Sequence, residues 1–355
     1  MTDVLDCIID QKPKSWIHHE LYEEKIDKNL TATFLNYQKK LNLPLDWESN
    51  LPSKLWNYNL HYFEELLSKG AKKKNTFHQN LIKIWIEDNP ISKGNGWDPY
   101  PSSLRIVNLL KAWLGGLNLE QNILKNVYSQ SSYLSNNLEK HLLGNHYFTN
   151  LKALIFAGVI FNNKRWILFS EKELHKELDE QILSDGGNFE LSPMYHAIML
   201  VDILDLFNLA KAYPKKISSK LSITLEDLIP KMLIFLENMS HPDGGLSFFN
   251  DSVDGIAPSR KSIDKYAQNL GFKIPEQDYG KVEVIDCHHS GYFSTISNNN
   301  KLIFDVADIG PDYIPGHGHA DTLSFELSIG KERVFVNSGI SEYEINSRRL
   351  SQRKT

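Results

Sequence analysis

Apolar residues recur at three- and four-residue spacing through most of the chain from about residue 54 to 240, the period of helices with one buried face. Leu104, Val107, Leu110 and Leu114 form one such stripe, with Pro101, Ser102 and Ser103 as a start signal. Phe148 to Ile160 is apolar nearly all round, which predicts a helix buried between other helices. A third helix is predicted after Ser192 and Pro193, a cap residue followed by proline at the first helical position; it carries Ile198, Leu200, Val201, Leu204, Leu206 and Phe207. After about residue 250 the period changes. A short helix, Ser262 to Leu270, precedes strand-like stretches at 281–285, 291–296, 301–306, 322–329 and 332–337, the last two joined by a tight turn at Gly330 and Lys331.

Polar and aromatic loops punctuate the helical region about every 40 to 60 residues: Trp56 to Asn59, Trp97 to Tyr100, Gly144 to His146, Asp185 to Asn188 and Asp243 to Leu246. That interval is about a helix-turn-helix pair, so the region reads as repeated α-hairpins whose loops collect at one end and form a cleft. About five antiparallel strands without a partner sheet leave one apolar face open. The β-domain is therefore expected to be incomplete at Thr355, and the polar, basic tail from Ser347 to close nothing. The expected organisation is a helical extension over 1–50, helical hairpins over 51–250, a connector over 251–280 and an incomplete antiparallel β-domain over 281–355.

Composition narrows the functional classes. Of 355 residues, 41% are hydrophobic and 23% charged, values of a soluble globular protein. With 39 Lys and Arg against 44 Asp and Glu the net charge is -5, and no basic cluster offers a nucleic-acid footprint. The two cysteines, Cys7 and Cys287, exclude a disulfide framework and a paired-cysteine metal site. No stretch reaches the roughly 18 uninterrupted apolar residues of a membrane span. Met1 to Gln11 has neither a basic start nor an apolar core, so a cytoplasmic protein is expected, or a periplasmic one if a leader precedes this sequence.

The densest chemistry lies in Gly316-His317-Gly318-His319-Ala320-Asp321, directly before a strand. Glycine on both sides of His317 lets the backbone approach a ligand closely, although a surface turn would look the same. His146 and Tyr195 are each placed in the first turn of a helix, where free N–H groups and the helix dipole favour an anion such as a carboxylate. By position alone, Asn145 also serves as an ordinary N-cap and Tyr195 as a first-turn aromatic staple.

Five blocks, in order along the chain, resemble the heparinase II/III-type polysaccharide lyase family. They are Trp56 to Phe63; Asp98 to Arg105; Asn145 and His146 before Leu151 to Gly158; Asp185 to His196; and Gly316 to Asp321. The resemblance implies an α+β multidomain fold, an N-terminal (α/α) toroid followed by an antiparallel β-sandwich, with the active site between them. It also implies β-elimination on a uronate-containing acidic polysaccharide or oligosaccharide: the C5 proton is removed beside the carboxylate and the 4-O-linked sugar is expelled. Asn145 and His146 would neutralise the carboxylate, Tyr195 would act as base or acid at the breaking bond, and His317 as the partner base. Arg105, Glu190 and Tyr100 fall in matching blocks as candidate substrate contacts, with structural ion pairing an equal reading for Arg105 and Glu190. His196 is placed to orient a loop, while His61 and Tyr62 are expected to pack the first hairpin. His319 matches a position that holds a structural zinc in some members. Here Asn337 stands where a carboxylate is expected and the third ligand lies beyond Thr355, so no tightly bound metal and no cofactor are expected.

Two further readings stay open. A toroid glycoside hydrolase would need two facing carboxylic acids, which Asp185, Glu190, Asp243 and Asp251 could supply. A non-catalytic glycan-binding or assembly protein is the other. The substrate is not fixed by the sequence: a balance of -5 gives no sign of a sulfate-binding cleft, and a non-sulfated uronate polymer fits equally.

Overall fold

The computed structural model describes residues 9–49, 52–311, 313, 316–343 and 346–354. The amino-terminal segment read for a leader, together with Cys7, lies mostly or wholly outside them, as does Thr355. The chain divides into two compact units, Met1–Lys176 with Leu206–Ser222, and Glu177–Asp205 with Ile223–Thr355. This division runs through the helical region.

The first unit opens with an element that the hydrophobic pattern did not reveal. Residues 9–49 contain no helix; strands β1 (Thr31–Phe34) and β2 (Tyr37–Lys40) form an antiparallel hairpin in place of the expected helical extension. Its turn residues, Leu35 and Asn36, both have positive φ (51° and 58°), the geometry that matches strand twist in a two-residue hairpin. Helices α1 (Lys54–Tyr62), α2 (Asn75–Asp88), α3 (Pro99–Leu114), α4 (Gln121–Ser135) and α5 (Gly144–Ile160) follow. Trp56 to Asn59, expected in a loop, lies within α1, where the Ser53 hydroxyl accepts from Trp56 N. Helix α3 packs on α1, α4 and α5, and α5 is buried along nearly its whole length, as its all-round apolar sequence requires.

Three helices continue the chain: α6 (Lys164–Gln181), α7 (Pro193–Ala212) and α8 (Ser219–Asn238). Helix α7 is long and apolar enough to cross a membrane by length and composition. However, 83% of its apolar window is buried inside the fold, as in the core helix of a globular protein. Helix α9 (Arg260–Leu270) starts at Ser259, whose hydroxyl accepts from Ser262 N.

In the second unit, β3 (Glu283–Cys287), β4 (Tyr292–Ser297), β5 (Asn300–Asp305), β6 (Phe325–Ile329) and β7 (Glu332–Phe335) form one antiparallel sheet in sequence order. A helix-rich amino-terminal region followed by an antiparallel sheet is the order expected from the sequence. Period-2 alternation buries Tyr292, Ser294 and Ile296 on β4 with Lys301, Ile303 and Asp305 on β5. Tyr292 and Ile303 join Leu191, Phe235, Met239 and Phe249 in the core. The rest of this covered face is unusually polar. Lys301 donates to the Glu237 and Ser240 carbonyls at 2.8 and 2.6 Å, tying β5 to the end of α8 and the turn beyond it. A fully buried Ser328, His241 and Glu326 chain is sealed from solvent and joins β6 to the turn after α8. The opposite face is apolar and open, with Phe304, Phe325 and Phe335 stacked across three strands at 5.7 Å.

The tail does close something. Helix α10 (Ser347–Gln352) is capped by Asn346, whose side chain accepts from Arg349 N, and it carries Arg349 into the interior of the unit.

Candidate active site

The candidate residues of the first unit gather at the start of α5. The chain enters this helix through Leu143 and Gly144, both with positive φ (55° and 53°). For a leucine such a backbone costs on the order of 1–3 kcal/mol, so the entry is strained. The turn places Asn145 and His146 in the first helical turn, both half-buried. Glu139 holds His146 by its Nδ1 at 3.2 Å and also accepts from Asn150 Nδ2 at 3.1 Å. The Tyr100 ring lies against the imidazole, with centroids 4.4 Å apart and planes tilted 33°. The sequence did not single out Glu139.

Arg105 is not beside this group as a substrate contact. It is fully buried, with Nε on Gln130 Oε1 at 2.9 Å, Nη1 on the His61 carbonyl at 3.3 Å and Nη2 on Ser102 Oγ at 3.3 Å. Its guanidinium stacks on Trp85 at 3.8 Å. Burial pushes its pKa well below the usual arginine range. Of the two readings given to Arg105, these contacts favour the structural one. His61 is equally buried and bonds to the Trp47 carbonyl and Trp85 Nε1; burial, then the nearby Arg105 charge, lowers its pKa to about 3.

The candidate residues of the second unit form a tighter group built from four segments. Leu191, again with positive φ (58°), turns the chain into α7, so that Pro193 starts the helix and Tyr195 falls in its first turn. The free Met194 N–H of that turn donates to Ser252 Oγ at 3.0 Å, tying α7 to the loop 250–252. Asn250, in the left-handed region at φ 56°, braces this loop: its Nδ2 donates to the Leu191 carbonyl at 2.8 Å and its Oδ1 accepts from His319 N at 2.9 Å. The Gly-His-Gly-His segment is thereby brought against α7.

His317 and Tyr195 meet there, with ring centroids 4.0 Å apart and planes tilted 32°. His317 Nδ1 lies 2.9 Å from Asp251 Oδ2, and its Nε2 lies 3.5 Å from Glu190 Oε2. The His317 side chain is 21% exposed, whereas those of Asp251 and Glu190 are 0% and 3%. Asp251 also takes His319 Nε2 at 2.7 Å and Arg349 Nη2 at 2.6 Å. Burial opposes ionisation of Asp251, but the hydrogen bonds from His317 and His319 and the charge of Arg349 outweigh it and hold its pKa at about 2. Glu190 is thus a buried neighbour of the histidine. His196 faces inward, bonds to the Met232 carbonyl at 3.0 Å and is kept neutral by burial, which lowers its pKa to about 4.

The sequence underrated Asp251, naming it only as a hydrolase acid, and missed Arg349 altogether. Ninety-eight positions separate the two, so no local spacing joins them. The one available signal for Asp251 was the polar run Asn250-Asp251-Ser252 directly after the buried Phe249.

At the zinc position of the resemblance, His319 gives Nε2 to Asp251, and Asn337 uses Nδ2 on Asp321 at 3.2 Å and Oδ1 on Gly339 N at 3.1 Å. Neutral amide oxygen is in any case a weak zinc donor. Among the described residues, no three His, Cys, Asp or Glu side chains are arranged to hold an ion. Cys287 is buried and its thiol is pushed up to about 11, chiefly by burial.

Family comparison agrees with the block order. The Heparinase II/III N-terminus family matches residues 73–273, and the Heparinase II/III-like, C-terminal family matches residues 281–355. The chain belongs to the heparinase II/III family. Among curated members, a heparin-sulfate lyase of Bacteroides stercoris is 24% identical over 234 residues, 59% of this chain and 33% of the relative. One from Bacteroides thetaiotaomicron is 26% identical over 315 residues, 74% and 43% of the two chains. The crystal structure of heparinase III superposes with a TM-score of 0.68 at 19% identity, covering 99% of this chain and 62% of that one, which establishes a shared fold. This family member therefore spans less than half the length of these two curated relatives.

Proposed function

We propose that the protein is a polysaccharide lyase that cleaves an acidic, uronate-containing glycosaminoglycan by β-elimination. The observation that carries this reading is the stacking of Tyr195 on His317, a phenol and an imidazole side by side, with the imidazole held closely at Nδ1 by Asp251 and more loosely at Nε2 by Glu190. Elimination needs such a pair. His317 Nε2 takes the C5 proton, the electrons form the C4–C5 double bond, the C4–O4 bond breaks, and Tyr195 gives its phenolic proton to the leaving O4. The C5 proton is weakly acidic, so the carboxylate beside it must be neutralised, the role that the family resemblance implies for Asn145 and His146. The substrate class follows the names of the relatives, heparin-sulfate lyases.

The carboxylates argue against a hydrolase. Asp185 accepts from Ser290 N and Oγ at 2.8 and 2.9 Å, Asp243 grips Arg333, and Asp251 is filled by three donors. These three candidates are thus held by donors and none is free to move a proton opposite Glu190, whereas glycoside hydrolysis needs two acids. The test is incubation with heparan sulfate and with non-sulfated uronate polymers. Elimination gives products with new ultraviolet absorbance from an unsaturated uronate, and Tyr195→Phe removes it. Full activity in that variant would sink the assigned role, and binding without turnover would support a non-catalytic protein.

A further inference from the structure

A neutral imidazole offers either nitrogen as a base, and the fold around His317 selects one. The Asp251 carboxylate is fully buried and ionised, so it can only accept. At 2.9 Å it is the nearer carboxylate to His317, against 3.5 Å for Glu190 at the other nitrogen. A proton on Nδ1 makes the short contact a hydrogen bond; a proton on Nε2 would set two lone pairs against each other there. His319 obeys the same logic. Its Nε2 donates to Asp251, and its Nδ1 is buried with no hydrogen-bond partner among the described residues, the arrangement of an unprotonated nitrogen.

Arg349 supplies the balancing charge. Its Nη2 donates to the same Oδ2 that receives His317, and its Nη1 donates to the Tyr343 carbonyl at 2.5 Å. The guanidinium lies 5.3 Å from the centre of the Tyr343 ring, and the Tyr343 hydroxyl donates to the Asp251 carbonyl at 3.2 Å. Backbone and side chain of Asp251 are therefore both fixed, by Tyr343 and Arg349. Planar, forked donors suit this task, which a lysine ammonium would perform only as a point charge.

We propose that Asp251 and Arg349 are positioning residues that hold His317 in the Nδ1–H tautomer, leaving the Nε2 lone pair as the base. The kinetic side of this inference rests on the elimination reading, while the tautomer is a property of the fold alone. The two are measured separately. Two-bond proton–nitrogen correlation spectra of the full chain labelled with 15N-histidine, recorded at alkaline pH with His317 identified by its loss in His317→Gln, report the tautomer directly. The wild type shows the proton on Nδ1. Asp251→Ala removes the acceptor, and the proton moves mainly to Nε2, the preferred site of an unconstrained imidazole. On uronate glycan, kcat then falls by about 10³–10⁴-fold, the scale of a wrong tautomer at an orienting carboxylate, with KM within about threefold. Arg349→Met loses about 100-fold in kcat, part of which added guanidinium restores, and Arg349→Lys retains more than Arg349→Met. A wild-type proton on Nε2, or an unchanged tautomer and kcat in Asp251→Ala, overturns the proposal. If Asp251→Ala fails to fold, the wild-type spectrum and Arg349→Met decide. If no glycan is cleaved but the wild-type proton is on Nδ1 and moves in Asp251→Ala, the elimination reading fails and the positioning role stands.

Discussion

Arg105 in the first unit and Asp251 in the second are both fully buried charged residues, and both sit in sequence blocks dense with polar side chains. Their partners separate them. Arg105 is met by an amide, a backbone carbonyl, a hydroxyl and an indole ring, all neutral and all interior. Asp251 is met by a guanidinium and two imidazoles, one of which is part-exposed and stacked on a phenol. Burial of a charge therefore marks a function only when the charge is wired to a group that solvent or substrate can reach. Where the wiring ends in the core, the same burial serves packing.

Substitutions at the two centres should accordingly fail in different ways. The largest effect is expected at the exposed end of the Asp251 centre. His317→Ala should lower kcat by roughly 10²–10⁴-fold, the range of a lost general base, with a melting temperature within a few degrees of wild type. Loss of folding instead would erase the contrast. Arg105→Ala should do the reverse: about 3 kcal/mol or more of stability lost through a cavity and unpaired buried acceptors, seen in urea melts, with kcat per folded molecule unchanged.

A third buried charge tests the rule through pH. Burial, offset in part by the bond from Ala307 N and reinforced by the charge of Asp321, raises the Asp305 pKa from 3.8 to about 7. The folded protein then holds a proton that the unfolded chain has released between those values. The contribution is complete below about pH 4, is lost as pH rises to about 7, and stays lost above it. Asp305→Asn, which keeps the acceptor for Ala307 N, should raise the melting temperature at pH 8 by more than at pH 5. Equal changes at both values would contradict the assignment. The smallest effect is expected for the part-exposed Asp243 and Arg333 pair, where Arg333→Ala should cost about 1 kcal/mol or less and leave activity intact.

Much of the frame was legible because its signals are local. Ser192 and Pro193 marked the start of α7, the all-round apolar run marked α5, and alternation marked the strands near their observed positions. The β1–β2 hairpin escaped because Leu35 and Asn36 turn it without a glycine, so the usual short-range signal was absent. Trp56 to Asn59 looked like a loop because polar residues there face partners that only tertiary contacts supply; Asn57, for one, is fully buried and donates to the Trp47 carbonyl. The site divided along the same line. Tyr195, His146 and His317 were named from first-turn placement, a glycine-flanked motif and family resemblance. The Arg349 to Asp251 contact is long-range, and a polar tail gives no hint that one arginine in it is buried.

The central claim is a base and an acid acting on a uronate ring, and the product identifies that reaction directly. Digestion of heparan sulfate by the wild-type protein, with mass spectrometry of the released oligosaccharides, should show non-reducing ends lighter by one water than hydrolysis would give, together with the ultraviolet absorbance of an unsaturated uronate. Products with saturated ends and no new absorbance would contradict the account.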